Sequence, residues 1–115
     1  MHTIVETPVF IRSAKRAGVT GAELDAIRTL LAKSPDAGDE IPGTGGARKV
    51  RFAARGKGKS GGYRIITFFS GEDIPVFLLD IYAKGERIDL TQSERNTLKQ
   101  ILAQLVKTYR SENDE

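Results

Sequence analysis

The chain has no cysteine, no tryptophan and a single histidine among its 115 residues. Without cysteine there is neither a disulfide framework nor a thiolate metal site. The lone histidine, His2, stands in what reads as a loose N-terminal end, so the usual metal ligand and the usual general base are both missing from the body of the chain. Any chemistry must use other groups. Long apolar runs are missing as well. No stretch approaches the roughly 20 residues that a membrane-spanning helix needs, and the opening MHTIVETPVF has no basic leader before an apolar block. These absences point to a cytoplasmic protein with no membrane partner. The length suits one domain, spanning residues 1–115, around a single core.

Negative charge is absent from one segment in particular. Between Ala47 and Arg64 the basic residues are Arg48, Lys49, Arg51, Arg55, Lys57, Lys59 and Arg64, with no aspartate or glutamate among them. That segment carries +7, and the rest of the chain a net −4, against a total of +3. Positive charge concentrated on a small, otherwise near-neutral domain implies a polyanionic partner, with phosphate groups the leading candidate. The plainer alternative is a basic strand that is simply well solvated or that protects a sheet edge.

What is present organises the chain clearly. Thr7-Pro8 is a helix N-cap with proline in the first turn, and the apolar spacing that follows runs until Gly18 supplies a stop. Thr20 and Glu23 form a capping-box pattern ahead of Leu24, Ile27, Leu30 and Leu31, a stripe that ends near Ser34-Pro35. Together these elements read as a helical hairpin. PDAGDEIPGTGG, Pro35 to Gly46, reads as a loop. In ARKVRFAAR, Val50, Phe52 and Ala54 alternate with Lys49, Arg51 and Arg55, the period of a strand with one core face and one cationic face. YRIITFF (Tyr63–Phe69) and IPVFLLDIYA (Ile74–Ala83) follow as an antiparallel pair, the latter apolar on both faces and so expected to be internal. Thr91 and Glu94 repeat the capping box before an amphipathic helix carrying Leu98, Ile101, Leu102, Leu105, Val106 and Tyr109. The fold class is therefore α+β: an N-terminal helical hairpin, an antiparallel β-sheet and a C-terminal helix.

Ala53 through Ser60, AARGKGKS, superficially matches a nucleotide-binding loop. Such a loop works because it runs into a helix whose N-terminal amides receive the phosphates. Here Ser60 is followed by two glycines and a β-branched, aromatic strand, so a pliable hairpin with cations at its tip is the better reading. Arg64 stands out, because a guanidinium within an aliphatic strand is tolerated only where it faces water or an anion.

GTGGARKVRFA, GKGKSGGYRIITFF and FLLDIYAKGERIDLT, followed by a helix, resemble the HigB branch of the RelE/ParE superfamily of bacterial toxins. The likeness runs in order from about Gly43 to Val106, and the glycine–lysine run entering Gly-Tyr-Arg is its most diagnostic part. It implies an endoribonuclease that cuts messenger RNA in the ribosomal A site and inhibits translation. It also implies a cognate helix-turn-helix, HigA-like antitoxin, through which alone the toxin would meet operator DNA. By the same resemblance Arg64 steadies charge at the scissile phosphate, Lys57 and Lys59 share catalysis with it, and Lys84 is the basic residue closing the last strand. Lys49, Arg51, Arg55, Tyr82 and Arg87 are the expected RNA contacts, and no metal or cofactor is implied. Gly85, Glu86 and Arg87 follow Lys84 where a tyrosine would be expected, which leaves the general base open.

The inventory suits that chemistry. RNA carries its own nucleophile, the 2′-hydroxyl, so a protein has only to align it, take its proton and stabilise charge on the phosphate. Crowded cations disfavour the protonated form of a lysine, one route to a base in a chain so poor in histidine. Tyr82 has two readings, a stacking or proton-donating ring and a packed strand aromatic. Asp80, remote from other carboxylates, reads as a local hydrogen-bonding group. Two rival functions share the basic hairpin: a ParE-like gyrase inhibitor, for which so many cations are unnecessary, and a non-catalytic nucleic-acid-binding module.

Overall fold

The structure, a computed structural model, describes residues 2–53, 62–86 and 90–113. Its elements in chain order are β1 (Ile4–Glu6), α1 (Pro8–Ala17), α2 (Gly21–Lys33), β2 (Asp39–Glu40), β3 (Ala47–Phe52), β4 (Tyr63–Phe68), β5 (Val76–Ala83) and α3 (Gln92–Asn113). They build a mixed α+β domain in which five strands lie in the order β1-β5-β4-β3-β2.

The three helix starts follow from their caps. The Thr7 hydroxyl accepts a hydrogen bond from Phe10 N and donates to Leu78 O at 2.9 Å, so one side chain both starts α1 and ties it to β5. Gly18, at φ 74°, closes α1 in the left-handed conformation that glycine adopts without strain. Thr20 and Glu23 satisfy each other's backbone amides at the head of α2, and Thr91 and Glu94 do the same before α3.

The sheet separates two apolar clusters. On one face, Phe10 and Ala14 of α1 and Ile27 and Leu31 of α2 pack on Val50, Tyr63, Ile65, Leu78 and Ile81. On the other, Leu102 of α3 meets Ala47, Ile66, Phe68, Phe77 and Tyr82. A register shift between Ile66 and Thr67 makes this possible: Ile66 pairs with Asp80 but Thr67 pairs with Leu78, leaving Leu79 over. The bulge sets Phe77 on the α3 face and Leu78 on the α1 face.

Two strands depart from the sequence expectation. The N-terminus is not a loose end: β1 pairs parallel with β5, Ile4 opposite Val76, so the sheet is mixed rather than wholly antiparallel. His2 N donates to Ala32 O, and its ring meets Phe69 edge-on at 5.0 Å. β2 arises inside the expected loop, where Asp39 pairs with Lys49 and Glu40 with Arg48. It starts after Gly38, whose φ of 90° and close approach to Lys49 O turn the chain away from β3.

Candidate active site

Three strands bring one row of side chains together. Arg51 of β3 lies directly opposite Arg64 of β4, and Arg64 directly opposite Tyr82 of β5. Directly paired residues point to the same face, with Cβ atoms about 5 Å apart. Arg51 is exposed and Arg64 half-buried. Among the described residues neither meets a carboxylate, and the sole bond recorded for Arg64 is a long one, 3.4 Å, from Nη1 to Tyr63 O.

The register separates the cations of β3 into two kinds. Arg48 and Lys49 face Glu40 and Asp39 across the β2–β3 pairing, an arrangement of opposite charges that stabilises a sheet modestly. Beyond Lys49 the short β2 offers no partner, and the next cation on that face, Arg51, is set against another cation. Two guanidinium groups side by side without an acid form a ready anion site, because an anion relieves their repulsion.

The reverse side of Arg64's strand holds that site still. Tyr63, its neighbour, is 3% exposed and faces α2. Its hydroxyl donates to Glu23 Oε1 at 3.1 Å, an oxygen that also accepts the Thr20 amide. Burial, and then the Glu23 carboxylate, raise the Tyr63 hydroxyl above the ordinary phenol value, so it stays a protonated donor. The Gly-Tyr-Arg sequence thus places a core anchor and a site cation on opposite faces of one strand.

Arg64 and Arg51 open into a cleft of about 580 Å³, whose lining also includes Lys49, Arg95, Asp39 and Glu40. Arg95 comes from the first turns of α3 and was not among the residues expected from sequence. Its cleft position depends on a contact between α3 and the Pro42–Gly43 loop, which no local pattern announces. No group of histidine, cysteine, aspartate or glutamate among the described residues is arranged to hold a metal ion.

A family model described as the RelE toxin of the RelE / RelB toxin-antitoxin system matches residues 2–114. The chain belongs to the RelE toxin family. Among solved structures, it resembles a free-state mutant of Escherichia coli toxin RelE with a TM-score of 0.50 and 18% identity, over 88% of this chain and 96% of that one. At such identity the likeness speaks for the fold alone. As a RelE-family protein the chain is the toxin of a toxin–antitoxin pair, and it acts by ribosome-dependent cleavage of messenger RNA.

The remaining expected site residues of this RelE-family toxin are placed as follows. Lys84 is exposed just past β5, where its amide donates to Gly62 O at 3.2 Å, and Gly85, at φ 91°, turns the chain so that Glu86 N reaches Ala83 O. The Lys84 backbone is thereby fixed at the root of the β3–β4 connection, next to the strand bearing Arg64. Tyr82 is 8% exposed and packs in the α3-side cluster, leaving little ring face for a base to cover. Asp80 accepts a local hydrogen bond from Ile81 N at 2.8 Å. Arg55, Lys57, Lys59 and Arg87 lie outside the described residues. No described helix is long and apolar enough to cross a membrane.

Proposed function

We propose that this toxin is of the HigB type and cleaves messenger RNA without a catalytic metal, with Arg64 as the group that stabilises the reacting phosphate. The observation that carries this reading is the directly opposed Arg51–Arg64 pair, which meets no carboxylate among the described residues and opens into a cleft. In the reaction the 2′-hydroxyl attacks the adjacent phosphorus and loses its proton, while the 5′-oxygen of the next nucleotide departs and gains one. Negative charge grows on the non-bridging oxygens, and a guanidinium already held by its strand needs little reorganisation to meet it. Arg51 raises the local positive potential and contacts the same backbone. Proton transfer falls to Lys57, Lys59 and Lys84, with Lys49, Arg55 and Arg87 contributing phosphate contacts along the strand and hairpin. Tyr82, paired with Arg64 across the sheet and buried, offers only its rim to RNA.

Such equipment is modest, and a message already bent by the ribosome supplies the alignment that this chain does not. The proposed antitoxin is a HigA-like helix-turn-helix protein, both partners being cytoplasmic, and operator DNA is bound only through the antitoxin.

The test is primer-extension mapping of a defined message in a purified translation system, with wild type and Arg64→Ala, with and without ribosomes. The expected result is cutting within A-site codons that requires ribosomes and falls by about 10²–10³-fold in the variant, the usual effect of removing a donor to developing negative charge. Binding to programmed ribosomes with no cleavage by the wild type would favour a non-catalytic binding module or a gyrase-directed toxin instead. An antitoxin without operator affinity would refute the HigA-like assignment.

A further inference from the structure

We propose that Arg95 and Arg51 form a second phosphate subsite, which holds the linkage next to the scissile one. The inference rests on the nuclease reading above and extends it to a residue that nothing in the sequence pattern marked.

Arg95 belongs to α3, yet its side chain enters the cleft that Arg51 and Arg64 line. Its guanidinium is held in place by two backbone carbonyls, Nε donating to Leu90 O at 3.2 Å and Nη1 to Pro42 O at 3.4 Å. Among the described residues it meets no carboxylate. A guanidinium has five N–H donors, so two backbone bonds leave donors over while fixing its plane. An arginine oriented in this way loses little side-chain freedom when it binds an oxyanion.

The extent of the subsite follows from charge. Arg51, Arg64 and Arg95 line one cleft, the first two as a directly opposed pair on the sheet and the third from α3. Asp39 and Glu40 line the same cleft. Their carboxylates stand opposite Lys49 and Arg48, which leaves Arg51 and Arg95 as the cations proper to the subsite.

The experiment uses purified ribosomes programmed with messages in which one linkage at a time, on either side of the cleavage position, is a neutral methylphosphonate. Single-turnover cleavage is followed against toxin concentration for wild type, Arg95→Gln and Arg95→Lys. Neutralising one flanking linkage is expected to raise the half-saturating concentration of wild type about tenfold, as for one lost charge-assisted contact, with the rate at saturation unchanged. Arg95→Gln should show that increase on the native message and no further sensitivity at that linkage. Arg95→Lys, which keeps the charge and guards against a folding artefact, should stay sensitive to the modified linkage. A wild type indifferent to every flanking linkage, or an Arg95→Gln variant that keeps full sensitivity, overturns the subsite while leaving cleavage and its reading intact. A wild type that does not cut the native message overturns the nuclease reading and the subsite with it.

Discussion

Arg51 and Arg64 oppose one another in the sheet, and among the described residues neither is paired with a carboxylate, so each should destabilise the free protein through the other. For charges about 6 Å apart the repulsion is roughly 0.7 kcal/mol at the dielectric constant of water, and the partial burial of Arg64 raises this to about 1 kcal/mol. Replacing either arginine by glutamine keeps most of the side-chain volume and removes the repulsion. Arg51→Gln and Arg64→Gln should each stabilise the chain by about 1 kcal/mol in low salt, seen as a shift of about 0.5 M in the urea midpoint. Since either change alone abolishes the same pair, the double variant should gain about 1 kcal/mol and not about 2, a coupling read directly from the cycle. In 1 M salt, where the screening length falls to about 3 Å, the gains should vanish. Additive stabilisation, or gains that persist in high salt, would refute the idea that the two guanidinium groups act on each other. Cleavage should be impaired in Arg64→Gln although it is the more stable protein, the trade expected of a site whose strain is relieved by substrate.

Two further outcomes test the frame around the site. Tyr63→Phe should cost about 1–2 kcal/mol in a denaturant titration, because Glu23 loses a donor on the buried side of β4, and an unchanged midpoint would show that the Tyr63–Glu23 bond contributes nothing. Arg110, donating to the Asp73 carboxylate from Nε at 2.9 Å, holds that carboxyl below its ordinary value of 3.8. Its contribution to stability is therefore present above that value and lost as pH falls through the lower, folded one. In an NMR titration Arg110→Gln should return the Asp73 midpoint upward, and a midpoint that does not move would contradict the assignment of cause.

Much of this is legible in the sequence alone. The helix starts at Thr7, Thr20 and Thr91 each announce themselves through a side chain that satisfies an amide three residues on, a purely local matter. The alternation of β3 likewise predicts Val50 inward and Arg51 outward. What escaped was non-local. β1 is three residues long and owes its existence to backbone pairing with a strand some seventy residues away, and β2 is a two-residue pairing inside a glycine- and proline-rich connection. The same reason divides the site: charge pattern singles out the basic strand and Arg64, but only the register tells that Arg48 and Lys49 have acids opposite while Arg51 and Arg64 have each other. Arg95 was invisible because nothing in its own turn of helix differs from that of an ordinary surface arginine.

The brevity of β2 carries a consequence for how such a toxin could be silenced. Read backwards from the Asp39–Lys49 pairing, the position that would face Arg51 belongs to Ala37, and the chain never reaches it as a strand because Gly38 turns aside. A Cβ at Gly38 would stand 2.4 Å from Lys49 O, so the glycine is required where it is. If Arg51 serves the reaction as proposed, potency should depend on where a neighbouring strand stops. A relative that carried two more residues of pairing, with aspartate in place of Ala37, would hold an acid of its own against Arg51 and act as a built-in antidote, with every cation of the site still present.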